Sequence, residues 1–183
     1  MAWYRKLRGT AVGNDAKHGK IEPPDSHYLS AAEGWFGLGD PNAALDELKQ
    51  ISPCYQLYPQ VLHARWHIHH QLKNWEECVS LGRAMIAVDP ESAQGWINHG
   101  NALFYLHRYD EAFAALYPVL DKFPADEAIP YNLACYRCQA GALTEAVQWL
   151  KQAFKVGNTK KIRAMALNDP DLKPLWEQLK SNG

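Results

Sequence analysis

Four histidines crowd one short stretch of this 183-residue chain: His63, His67, His69 and His70. If the stretch is helical, His63 and His67 lie at i, i+4 and His67 and His70 at i, i+3, so three imidazoles share one face. Such pairs can ligate zinc, but a metal site needs a third ligand and groups that orient the rings. A second pair, Cys135 and Cys138, has the Cys-x-x-Cys spacing of redox and zinc sites. Redox pairs sit at helix N-termini, where the dipole lowers the thiol pKa, whereas this pair falls inside a predicted helix. No second Cys pair completes a zinc site. The histidines therefore read first as solvated or packing side chains. Polar contacts to a partner, titrating near the ordinary histidine pKa of ~6.5, come second, and metal ligands last.

No Gly-rich phosphate loop, nucleophile elbow or His-Glu-x-x-His sequence occurs. No catalytic residue, metal or cofactor is assigned, and the expectation is a protein that is not an enzyme. Nineteen basic against twenty acidic side chains leave a net charge of -1, which argues against a nucleic-acid partner because phosphate neutralisation needs surplus cations. The chain has no run of apolar residues long enough for a membrane-spanning helix, so no membrane partner is expected. Its first twenty residues carry cations without an apolar stretch and do not read as a secretory signal. Cys54, Cys78, Cys135 and Cys138 lack a disulfide-framework spacing and read as free buried thiols in a reducing, cytoplasmic setting.

What positions these side chains is a repeat. Sliding the sequence by 34 residues superposes Ala44, Cys78, Ala112 and Ala146, all small. Four positions on, Leu48, Gly82, Leu116 and Leu150 coincide, followed by Ile51, Met85, Val119 and Ala153. Ahead of the small residue stand the turn-like pairs Gly39-Asp40, Lys73-Asn74, His107-Arg108 and Gly141-Ala142. Each unit thus reads as two antiparallel helices: Gly39 and Gly141 suit a left-handed C′ position, and Asp40-Pro41 offers an N-cap followed by an N1 proline. Acidic residues in the first turn of each second helix complement its dipole. Helices are predicted at 26–38, 42–52, 59–72, 75–88, 92–106, 109–123, 127–140, 143–156, 160–167 and 173–180, with Pro118 kinking the sixth.

With Trp96, Gly100, Leu103, Ala112, Leu116 and Pro124 in the third unit, the chain resembles the tetratricopeptide repeat (TPR) family over roughly residues 25–157. The second unit departs most, with Trp66 at a position usually small and Gly82 at one usually large. The segment Asp169-Pro170-Asp171-Leu172, followed by Leu175 and Trp176, resembles the capping end of small bacterial TPR proteins, which a solenoid needs to cover its last apolar face. The resemblance implies a concave groove lined by the first helix of each unit, here with His63, His67, His70, Asn98, Asn101, Phe104, Tyr105, Tyr131, Asn132 and Gln139. Glu33 is the one formal charge among the lining positions. TPR domains that grip a C-terminal carboxylate use cations there, so that mode is disfavoured.

The expected fold is all-α, an α-solenoid of four TPR helix-turn-helix units plus C-terminal capping helices. Residues 1–24 read as a flexible basic arm, 25–58, 59–92, 93–126 and 127–157 as the four units, and 158–183 as the cap. The expected function is a scaffold binding an extended peptide or helix of another protein in the groove. The alternatives are a self-assembling or complex-capping subunit and, behind it, a histidine-based metal protein.

Overall fold

The computed structural model describes residues 19–181, and among these it contains helices and no strand. The α-helices are α1 (Asp25–Gly37), α2 (Pro41–Gln50), α3 (Pro59–Gln71), α4 (Trp75–Val88), α5 (Ala93–Tyr105), α6 (Tyr109–Leu116), α7 (Ala128–Gln139), α8 (Leu143–Val156), α9 (Thr159–Ala166) and α10 (Trp176–Ser181). Most of the expected arm, residues 1–18, lies outside the described residues. Of the remainder, Ile21 is only 6% exposed and belongs to the core of the first hairpin, so packing begins before Asp25.

The 34-residue period has a backbone cause. Gly39, Lys73, His107 and Gly141 all adopt positive φ, at 88°, 58°, 59° and 82°. At each, the next residue's N–H reaches back to a carbonyl five residues earlier: Asp40 to Trp35, Asn74 to His69, Arg108 to Leu103 and Ala142 to Arg137, at 2.9–3.0 Å. This is the Schellman ending, repeated four times. Lysine and histidine bear a steric cost in this conformation that glycine avoids. Asp40 caps α2 by accepting from the Ala43 N–H at 3.0 Å, with Pro41 in the first turn. That helix has no acid in its first turn, whereas α4, α6 and α8 carry Glu76 and Glu77, Asp110 and Glu111, and Glu145 there.

The superposed small residues Ala44, Cys78, Ala112 and Ala146 are wholly buried, as are Leu116 and, nearly so, Leu48 and Leu150. Two expectations are corrected. Pro118 does not kink a continuing helix: α6 ends at Leu116 and a 3-10 turn, Tyr117–Val119, follows, because proline cannot donate the next helical bond. Cys54 is exposed, since it sits in the 3-10 turn Pro53–Tyr55, where no side chain is buried; Cys78, Cys135 and Cys138 are buried free thiols.

The chain divides into two compact units, whose described parts are 19–102 and 103–181; the division falls within α5. In the first, α1 and α2 pack together and onto α3, and α3 pairs with α4. In the second, α7 pairs with α8, α6 packs on α7, and α9 packs on α8. The 3-10 segment Pro170–Leu175 returns onto α7, burying Leu172 and Leu175.

Candidate functional site

In the first unit, α3 begins with Pro59 at its N1 position and buries Val61, Leu62, Trp66 and Ile68 on one side. That leaves His63 and His67, one turn apart, half-buried on another, their rings stacked at 6.3 Å and 28°. Burial lowers the His63 pKa, so its imidazole is neutral at physiological pH. His70 does something different. It stacks on Trp66 at 5.0 Å and meets the edge of Trp75 at 5.1 Å. Burial brings its pKa down to about 4. Trp66 itself is wholly buried and donates its indole N–H to the Cys78 carbonyl at 3.1 Å. The last histidine of the run is therefore held among aromatic rings. His69 points elsewhere, with its Nδ1 3.3 Å from the Asn74 amide. Among the described residues no group of three or more His, Cys, Asp or Glu side chains could hold a metal ion.

His63 also lines a small pocket with Leu62 of α3, Met85 of α4, Asp89, Ser92 and Gly95 of α5. On α5, Asn98 is 1% exposed; it accepts from Gln94 at 2.7 Å and donates to the Met85 sulfur at 3.5 Å. Asn101, one turn further, is half-buried. Close packing of α4 and α5 depends on a residue whose role the sequence left open. A Cβ on Gly82 would lie 2.7 Å from the His99 Cα, so its missing side chain is what lets the two backbones approach. His99 then places Nδ1 3.2 Å from the Val79 carbonyl.

The second unit arranges its candidates around the returning C-terminal segment. Tyr131 is 1% exposed and donates its hydroxyl to the Asp169 carboxylate at 2.8 Å. Gln139 donates its amide to the Asp171 carbonyl at 2.7 Å. Asp169 is also the cap of the 3-10 segment, accepting from the Asp171 N–H at 3.1 Å. Asn132 turns back on its own helix, to the Ala128 carbonyl at 2.8 Å. Phe104 is buried among Tyr105, Tyr109 and Tyr136, with ring centroids 5.3–5.6 Å away. Tyr105 is half-buried, and burial together with Asp171 and Asp169 pushes its hydroxyl up to about 12.

Cys135 and Cys138 lie beside the same carboxylates. Burial, then Asp169 and Asp171, raises the Cys135 pKa well above the ordinary thiol value, and burial with the same two acids takes Cys138 to about 11. Both stay protonated at neutral pH, the opposite of an activated pair. The Tyr131–Asp169 bond joins residues 38 apart, and no local signal announces it.

No protein-family model matches the sequence, and no curated protein sequence does. Solved structures do match in fold. MamA 41-end from Desulfovibrio magneticus RS-1 aligns with a TM-score of 0.67 at 17% identity, covering 88% of this chain and 94% of that one. A MamA crystal structure aligns at 0.66 and 16% identity, covering 75% and 81%. A thermophilic TPR protein of Thermus thermophilus aligns at 0.63 and 18% identity, covering 85% and 82%. The chain therefore has a TPR-like, all-α fold of the α-solenoid class. Among the described residues no helix is long and apolar enough to cross a membrane.

Proposed function

We propose that the protein is a non-enzymatic scaffold that binds an extended peptide or helix of a partner protein through first-helix faces, chiefly that of α3 with the part of α5 that belongs to the first unit. The observation that carries this reading is the half-buried pair His63 and His67, polar at the edge and apolar on the ring face, with Asn101 on α5. Such groups suit an uncharged peptide backbone and its side chains better than a phosphate or a carboxylate terminus. A general role in protein interaction accords with the TPR-like fold, which by itself names no partner. In the second unit, Tyr131 and Gln139 already bond to the chain's own C-terminal segment, which directs the reading toward the first unit. Three buried thiols suit a reducing compartment, and the reading places the protein in the cytoplasm.

The test is co-purification from cell extract followed by titration of the captured protein. His67→Ala combined with Asn101→Ala weakens the captured interaction at least tenfold, about 1.4 kcal/mol, while the melting curve stays within a few degrees. Unchanged affinity in that folded variant overturns the assignment of this face.

A further inference from the structure

The charges of this nearly neutral chain are segregated. Between Ile21 and Leu48 there is no lysine or arginine, while Glu22, Asp25, Glu33, Asp40, Asp46 and Glu47 all fall there. Asp25 is turned inward onto the Ser52 N–H and hydroxyl, Asp40 caps α2, and Asp46 pairs with Lys49. Glu22, Glu33 and Glu47 keep no cation partner among the described residues, and Glu22 and Glu33 are exposed. The same hairpin exposes two large apolar side chains, Trp35 at 42% and Leu38 at 79%.

The other end of the sequence is the complement. From Ala146 to Asn168 there is no aspartate or glutamate, while Lys151, Lys155, Lys160, Lys161 and Arg163 fall there. Lys161 pairs with Glu127, and Arg163 donates to the Leu179 carbonyl. Lys151 and Lys155, one turn apart on α8, and Lys160 at the start of α9 are exposed and have no carboxylate partner among the described residues. Because α9 packs on α8, these three cations belong to one packed pair of helices.

We infer that the acidic hairpin α1–α2 of one copy docks on the basic helices α8 and α9 of a second copy. A net charge of -1 leaves little overall repulsion between copies, so local complementarity steers the encounter. Trp35 and Leu38 supply the apolar contact that charge alone does not, as aromatic anchors do at interface centres. The contact joins unlike surfaces, so each copy keeps one face of each kind open, and repetition gives a ring or an open chain rather than a closed two-fold dimer. Neither face includes His63, His67 or Asn101, and the inference stands apart from the partner-binding reading.

Sedimentation velocity of the full chain across a concentration series tests it. At an ionic strength of about 0.01 M the mass rises with concentration, and at about 0.3 M the monomer returns, because exposed charges are screened beyond the Debye length. Lys151→Glu with Lys155→Glu stays monomeric at low salt, and so does Glu33→Lys with Glu47→Lys. Mixing the two variants restores association, a result that nonspecific stickiness does not give. Carbodiimide cross-linking of mixed isotope-labelled copies joins Glu33 or Glu47 of one copy to Lys151, Lys155 or Lys160 of another. A monomer at every concentration and salt overturns the inference. So do cross-links from Glu33 or Glu47 to Lys6 or Lys17 of the same copy, which give the acidic face to the chain's own N-terminal segment.

Discussion

Helices α3 and α7 occupy equivalent places in their repeats yet do opposite things with the side chains they present. On α7, Tyr131 and Gln139 are bonded to the segment that follows α9, and Cys135 and Cys138 of the same helix are buried. On α3, His63, His67 and His70 are all half-buried, and His70 lies between two tryptophans. What covers a side chain at such a position depends on the rest of the chain, and in the second unit that is the Asp-Pro-Asp-Leu segment.

The difference can be broken first at Gly82. Gly82→Leu drives a side chain into the α5 backbone 2.7 Å from where its Cβ would start. The expected cost is more than about 3 kcal/mol, above the usual overpacking penalty because backbone rather than a flexible side chain must yield. Thermal unfolding checks it, and hydrogen exchange should show the loss in α4 and α5.

A smaller loss, about 2 kcal/mol, is expected for Tyr131→Phe, which leaves the buried Asp169 carboxylate without the hydroxyl donor. Faster hydrogen exchange should be confined to the second unit, in residues 159–181 and α7. Equal loosening of α3 would contradict the contrast between the two helices.

Acidification sharpens the contrast, because His70 and Asp171 respond with opposite sign. In the first, His70 has a folded pKa of about 4 against an ordinary 6.5, so the unfolded chain binds the extra proton between these values. Its stabilising effect is complete above pH 6.5 and is lost as the pH falls toward 4, by on the order of 1 kcal/mol. In the second, burial and Asp169 raise the Asp171 pKa, so the folded state binds the proton more readily and the contribution of Asp171 to stability grows as the pH falls toward the carboxylate range. Exchange rates compared at neutral and mildly acid pH should rise in α3 and α4 and fall or hold steady around residues 169–175.

Much of the fold is legible in the sequence because the determinants are local. Gly39 and Gly141 mark two hairpin turns by composition, and the period puts turns at Lys73 and His107 as well, whose left-handed conformation only the structure shows. The buried small residues at 44, 78, 112 and 146 follow from the same register. The candidate site is less legible. Spacing puts His63, His67 and His70 on one helix with Trp66 one turn before His70, but the second tryptophan against that ring, Trp75, arrives from the next helix. Tyr131 reads as a groove residue by repeat position, and nothing within a turn of it indicates Asp169.

The sequence by itself determined the hairpin repeat, its turns, the capping of α2 by Asp40 and the segregation of charge, because each depends on neighbours a few residues apart or on composition. Only the tertiary structure decided which first-helix side chains bond to the C-terminal segment, why Gly82 must be small and where Asp169 finds its donor. Those outcomes depend on contacts between distant residues, and a periodic sequence specifies the positions but not the occupants.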